Sequence, residues 1–164
     1  MTTDRRTQTV QGTNHSSTVV ENRYVLAEGE TLTPGEYATV TGTANGGHPE
    51  VAPGSVDGPI HRVAKERSHP DRGDQSRTAR IDQDYEVAGE LVEVVYFRSG
   101  DRTDTMLLAA EEVVSAGDAL VVNADGQYEA YDAGSHDAGE IAAEAEEDLD
   151  LTGSAAGRIE VTFR

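Results

Sequence analysis

The chain has 164 residues, with 31 acidic against 13 basic side chains and a formal net charge of -18. So negative a surface repels nucleic acid, which excludes a binder of the phosphate backbone unless high salt or a local basic patch intervenes. The complete lack of cysteine excludes disulfides, thiolate nucleophiles and zinc–thiolate sites.

Lys65 is the sole lysine, and there are two Phe and no Trp. Acidic charge with small apolar residues fits a protein working in molar salt, where the Debye length shrinks to about 3 Å and self-repulsion is screened. A haloarchaeal setting is the expectation. No stretch approaches the length of an apolar membrane span, and the N-terminal MTTDRRTQTVQ lacks the apolar centre of a signal peptide. The chain is therefore expected to be soluble and made in the cytoplasm. A core of Val, Leu, Ile and Ala is thin for this length, which favours oligomerisation or docking on a larger partner.

Residues 1–20 are rich in Thr, Ser, Gln and Asn without an apolar period, so residues 1–22 are expected to form a flexible arm. Its segment Thr7-Gln8-Thr9-Val10 has the β-tolerant character of a strand that adds to a neighbour's sheet edge. Tyr24-Val25-Leu26 opens a first β-unit over 23–104. Thr33-Pro34-Gly35 turns the chain into a strand at Tyr37–Val40, because Pro and Gly supply the dihedrals of a turn. Loops rich in Gly and Pro follow, around short strands at Glu50-Val51-Ala52 and Ile60–Ala64.

A long polar loop over 65–84 then carries five of the 13 basic residues, Lys65, Arg67, Arg72, Arg77 and Arg80. Arginine makes bidentate bonds to carboxylates even where salt screens long-range attraction, so the loop is a candidate contact with an acidic neighbour. The alternative is a solvated loop balanced by its own Glu66, Asp71, Asp74, Asp82 and Asp84. Glu90–Arg98 is the most hydrophobic segment and is expected to be a central strand.

The second β-unit, 105–164, holds the clearest grammar. Leu107-Leu108 begins it, Gly117-Asp118 turns, Leu120-Val121-Val122 is a strand, and Asp125-Gly126 is a two-residue hairpin signal before the alternating Tyr128 and Ala130. Asp132–Gly139 reads as a loop, Gly153–Gly157 as a turn, and Arg158–Arg164 as a last strand. This unit echoes the first: Leu26 matches Leu108, Gly35-Glu36 matches Gly117-Asp118, Val40 matches Val122, Ile60 and Ala64 match Ile141 and Ala145, and Val92-Glu93-Val94 matches Ile159-Glu160-Val161. Equivalent turns and apolar positions in one order point to two copies of one β-unit. Across Glu140–Leu149 the rules conflict. Ala and Glu favour helix, whereas the repeat makes Ile141–Ala145 a copy of the strand Ile60–Ala64, and the repeat is followed.

No catalytic constellation emerges. His15, His48, His61, His69 and His136 fall mostly among Gly, Pro, Ser and Asp with no metal-binding spacing, and read as exposed loop residues. Asn123-Ala124-Asp125-Gly126 is better explained as a hairpin than as a calcium loop. Phosphate-binding and nucleophile-elbow motifs are absent from the sequence. An enzyme, a cofactor and a metal site are accordingly not expected.

The run Ala116-Gly117-Asp118-Ala119-Leu120-Val121-Val122-Asn123-Ala124-Asp125-Gly126-Gln127, followed by Gly139-Glu140-Ile141-Ala142 and a Val-rich terminal strand, resembles the head decoration, or capsid cement, proteins of tailed viruses. It departs from them where a glycine is usual after the isoleucine, with Ala142 in the second copy and His61 in the first. The resemblance implies an all-β fold, a small β-barrel or β-tulip-like domain of two related units. It also implies a place on the outer surface of an icosahedral shell, the major capsid protein as partner, a homo-oligomer with a trimer favoured, and neither nucleic acid nor membrane as partner. Thr7, Gln8, Thr9, Val10, Arg67, Arg72, Arg77 and Arg80 are the candidate contact residues. A tail- or vertex-associated module for host attachment, and a cellular halophilic small-ligand-binding barrel, are the alternatives.

Overall fold

The computed structural model describes residues 19–44, 46–66 and 83–164. Twelve strands run through them: β1 Val19–Leu26, β2 Ala38–Thr43, β3 Pro49–Pro53, β4 His61–Ala64, β5 Leu91–Phe97, β6 Arg102–Leu108, β7 Val113–Val114, β8 Ala119–Val122, β9 Tyr128–Ala130, β10 Ala143–Ala145, β11 Leu149–Asp150 and β12 Gly157–Phe163. A 3-10 turn at Ala138–Glu140 precedes β10. The class is all-β, and the conflict at Glu140–Leu149 resolves as the repeat requires. Ala143–Ala145 is a strand because both its edges find partners, Phe163 to Val161 on one side and Leu120 to Ala119 on the other. Tertiary pairing here outweighs the helix propensity of alternating Ala and Glu.

Two five-stranded sheets carry most of the described chain, and they share one plan. The first has the order β2-β3-β1-β5-β4; the second is a closed barrel of β8, β9, β6, β12 and β10. Taking β1 with β6, β2 with β8, β3 with β9, β4 with β10 and β5 with β12, every pairing of the first sheet recurs in kind in the second. Strands β1 and β3 are parallel, as are β6 and β9, and the remaining pairs are antiparallel in both units. The agreement extends to single bonds. Gly35 N–H donates to Ala64 O at 2.8 Å as Gly117 N–H does to Ala145 O at 2.8 Å, and Lys65 N–H donates to Glu93 O at 2.8 Å as Glu146 N–H does to Glu160 O at 2.9 Å. The bridge Leu32–Tyr85 corresponds to the short pair β7–β11, in which Val114 faces Leu149.

The sequence announces the longer strands but not the two-residue β7 and β11, and it misplaces two strand starts. β1 starts at Val19, within the segment expected to be arm, since Val19, Val20 and Glu21 find antiparallel partners in Tyr96, Val95 and Val94. β6 starts at Arg102, where polar Arg102, Thr103 and Asp104 gave no strand signal, because β12 templates them through Thr162 and Val161.

Side-chain alternation along the strands decides what each face meets. In β12, Ile159, Val161 and Phe163 point into the barrel while Arg158, Glu160 and Thr162 lie on its half-exposed outside. In β5 both faces are apolar. Val92 and Val94 join Tyr24, Leu26, Leu32, Ala38, Val51, Ala64 and Tyr85 inside the first unit. Val95 and Phe97 turn the other way and, with Tyr37 and Val63, pack into the core of the second unit. That double burial explains why this segment is the most hydrophobic in the chain. The two units therefore share a core, and the outer face of the first is covered by the second.

Candidate functional site

The junction between the units concentrates the unusual chemistry. In the second unit β8 and β10 pair directly and close the barrel. The equivalent β2 and β4 form no ladder: they are joined by the bridge Tyr37–Val63 at the start of β2 and by Arg62 Nε, which donates to Ala38 O at 3.2 Å, and the gap beyond is filled by residues 54–60. Asp57 is the centre of that plug. Its Oδ1 accepts from the Tyr37 hydroxyl at 2.8 Å, its Oδ2 accepts from Val40 N–H at 3.1 Å, and Arg62 on β4 pairs with the same carboxylate. A carboxylate thus takes the place of a neighbouring strand on an open edge, one of the ways in which β-proteins protect such edges. Burial pushes the Tyr37 hydroxyl up to about 12, which keeps it a donor.

The hairpin of the second unit is wedged against this plug. Gly126 has φ of +74°, and a β-carbon there would lie 2.7 Å from Tyr37 O; its own carbonyl accepts from Tyr37 N–H at 2.8 Å. Only glycine offers both the left-handed dihedral and the space. Beside it, Gln127 Nε2 donates to Glu36 Oε1 at 3.0 Å, and Glu36 Oε2 accepts from Thr33 N–H at 2.7 Å. Glu36 is buried, and loss of hydration raises its carboxyl above the ordinary value despite these bonds. Arg158 reaches Pro34 O from the opposite unit.

His61 opens β4 at 3% exposure, with its ring edge-on to Tyr37 and 4.9 Å from Phe163. Its Nε2 lies 3.4 Å from Arg164 O, Nδ1 has no partner among the described residues, and burial lowers its proton affinity below that of free imidazole. The expectation of an exposed loop histidine fails here: His61 is the first inward position of a strand, as its repeat counterpart Ala142 could have indicated. His136 also departs from it, half-buried with Nε2 3.1 Å from Glu129 Oε1. His48 sits on an exposed turn, its Nδ1 3.1 Å from Arg23 O. His61 and His136 both line a cleft of about 300 Å³ whose walls include Val56, Pro59, Ile141 and Arg164. Its two sides are repeat counterparts, Gly58–His61 and Gly139–Ala142.

Among the described residues no three His, Asp or Glu side chains come together as metal ligands. The interiors of both units are filled by side chains, Tyr24, Leu26 and Tyr85 in one and Met106, Leu120 and Tyr128 in the other. On the outside of the second barrel Arg102 bridges Glu146 and Glu160, both at 2.9 Å, and Arg164 pairs with Glu144. Of these, Arg164 and Glu144 correspond to Phe97 and Val63 on the apolar face through which the first unit docks. The candidate contacts Thr7, Gln8, Thr9, Val10, Arg67, Arg72, Arg77 and Arg80 lie outside the described residues.

No protein family and no curated protein matches the sequence. Among solved structures the chain is similar in fold to the head fiber gp8.5 N base in bacteriophage phi29. The TM-score is 0.50 at 15% identity, and the match spans 90% of this chain and 95% of that one.

Proposed function

We propose that this protein is a structural component of a tailed-virus particle, bound as a decoration or cement protein to the outside of the capsid and working in high salt. The observation that carries the reading is the whole-chain likeness in fold to the base of a phage head fiber. That likeness joins the independent resemblance of the Ala116–Gln127 run to capsid cement proteins. The partner is the major capsid protein, the role is not enzymatic, and self-association, as a trimer, supplies burial that the Val- and Ala-based core lacks. Filled interiors in both units speak against a barrel that carries a small ligand.

Copy number in purified particles tests this directly. Quantitative mass spectrometry in high salt should return a ratio to the major shell protein near one. A few copies per particle would instead make it a tail or vertex module, and absence from particles would end the virion reading. Within it, the arm and the arginine loop supply shell contacts. Deleting residues 1–18, or changing Arg67, Arg72, Arg77 and Arg80 together to Gln, should each lower occupancy, and unchanged occupancy would remove that element from the interface.

A further inference from the structure

We propose that His61 is an acid-operated latch between the two units, its neutral ring closing the junction and its protonated ring leaving the aromatic seat to open it. The latch does not depend on a role in the virion.

The geometry supplies the closed position of the latch. In it, the ring is held by Tyr37 on one side and Phe163 on the other, and Phe163 in turn stacks on Phe97. His61 and Phe97 are Cα partners across β4 and β5, while Phe163 and Arg164 belong to the end of the second barrel. One imidazole therefore touches both units. With Nε2 against the Arg164 carbonyl, the proton of the neutral ring sits on Nε2, and Nδ1 is a buried lone pair.

A second proton would place an N–H at Nδ1, where the described residues offer no acceptor, and would bury a cation whose one hydrogen bond is that of Nε2 to the Arg164 oxygen. The charged and titratable groups around the seat offer nothing to the Nδ1–H. From the 54–60 plug, Asp57 is engaged by Arg62, Tyr37 and Val40. The end of β12 offers Arg164, whose guanidinium is a like charge already paired with Glu144 and whose main-chain oxygen, at the last position of the sequence, is the one group that favours the protonated ring in place. Following Phe97 of β5 is Arg98, again of like charge, and β8 presents only Val121 and Val122. From 132–141 come His136, held by Glu129, and Glu140, whose Oε2 accepts from Asp137 N–H. Glu140 is exposed on the far wall of the cleft. A protonated His61 reaches that carboxylate only by moving out from between Tyr37 and Phe163, which uncovers the Phe97–Phe163 contact.

Burial lowers the folded-state value of His61 below 6.5, so the closed junction is fully stable above pH 6.5 and loses stability as pH falls toward and through the folded value. The test is a pH titration of the full chain from 8 to 4.5 at constant high salt, read in two ways. The His61 Cε1–H resonance should titrate below 6.5 together with shifts in the rings of Tyr37, Phe97 and Phe163. In parallel, His61→Phe should show a shallower fall of Tm with acid than the wild type, the carboxylates titrating equally in both. A His61 resonance that titrates while those rings stay still, or a variant with the wild-type acid slope, overturns the latch. If His61→Phe does not fold, the resonance experiment on the unaltered chain decides.

Discussion

The ring of Phe97 lies 4.6 Å from that of Phe163 with 13° between their planes, so the last inward residue of the second barrel is capped by an outward residue of the first unit. Both rings are at 1% exposure. Truncating either leaves a cavity shared by both units, and Phe163→Ala or Phe97→Ala should cost about 3–5 kcal/mol. Because the cavity is common, the double variant should cost less than the sum of the single ones. Urea unfolding of the four proteins in high salt checks both statements, and strict additivity would mean that the stack carries no coupling.

Asp57 stands where the second unit has a strand pair. Asp57→Ala leaves Arg62 without its carboxylate and removes the acceptors of Val40 N–H and the Tyr37 hydroxyl. A loss of about 1–3 kcal/mol is expected, and the edge of β2 becomes open to pairing with another chain. Light scattering during storage in high salt should show faster self-association for Asp57→Ala than for Asp57→Asn, whose amide oxygen still accepts from Val40 N–H.

These relationships divide what was legible in the sequence from what was not. The repeat was legible because turn residues and inward apolar positions are set locally: Gly35 and Gly117, Leu26 and Leu108, and Val92 and Ile159 announce themselves without tertiary context. It even corrected propensity at Ala143–Ala145. The asymmetry between copies was not legible, because it arises where one copy packs on the other. Phe97 and Val95 read as ordinary strand residues, and only the fold shows that their counterparts Arg164 and Thr162 face outward. The apolar run of β5 was the signal available, since a strand apolar on both faces needs cover on both. His61 and Glu36 look like surface residues in sequence and are buried by contacts from the opposite unit. The candidate shell contacts fall in the two polar segments, which have no repeat counterpart to place them.

Tyr37 and Tyr128 make opposite predictions from the same atom. Both are fully buried. The Tyr37 hydroxyl donates to Asp57 and accepts from Asp57 N–H, whereas the Tyr128 hydroxyl has no partner among the described residues. Tyr37→Phe should destabilise by about 1 kcal/mol or more, the net value of a satisfied hydrogen bond. Tyr128→Phe removes a buried hydroxyl that gains nothing and should be neutral or stabilising. Thermal unfolding of the pair side by side decides this, and a loss at Tyr128 equal to that at Tyr37 would require an acceptor that the described residues do not supply.

Glu36 gives the last prediction, a dependence on pH opposite in sign to that of His61. Its repeat counterpart Asp118 closes its turn in the same way, with Oδ2 accepting from Ser115 N–H at 2.8 Å as Glu36 Oε2 accepts from Thr33 N–H at 2.7 Å. Asp118 does so in solvent, whereas Glu36 does so beneath Gln127 of the other unit. Burial is the largest influence on Glu36 and raises its folded-state value above the unfolded 4.5. A raised value means that the folded chain binds the proton more tightly, so the contribution is fully present below pH 4.5 and is lost as pH rises through the folded value. Glu36→Gln keeps an oxygen for Thr33 N–H and carries no charge to desolvate. Its stability relative to wild type should therefore improve steadily as pH rises from 4 to 7, with the largest advantage at neutral pH. Tm differences measured across that range at fixed salt test the sign, and an advantage that shrinks toward neutral pH would mean that the bonds from Thr33 and Gln127 outweigh the lost hydration.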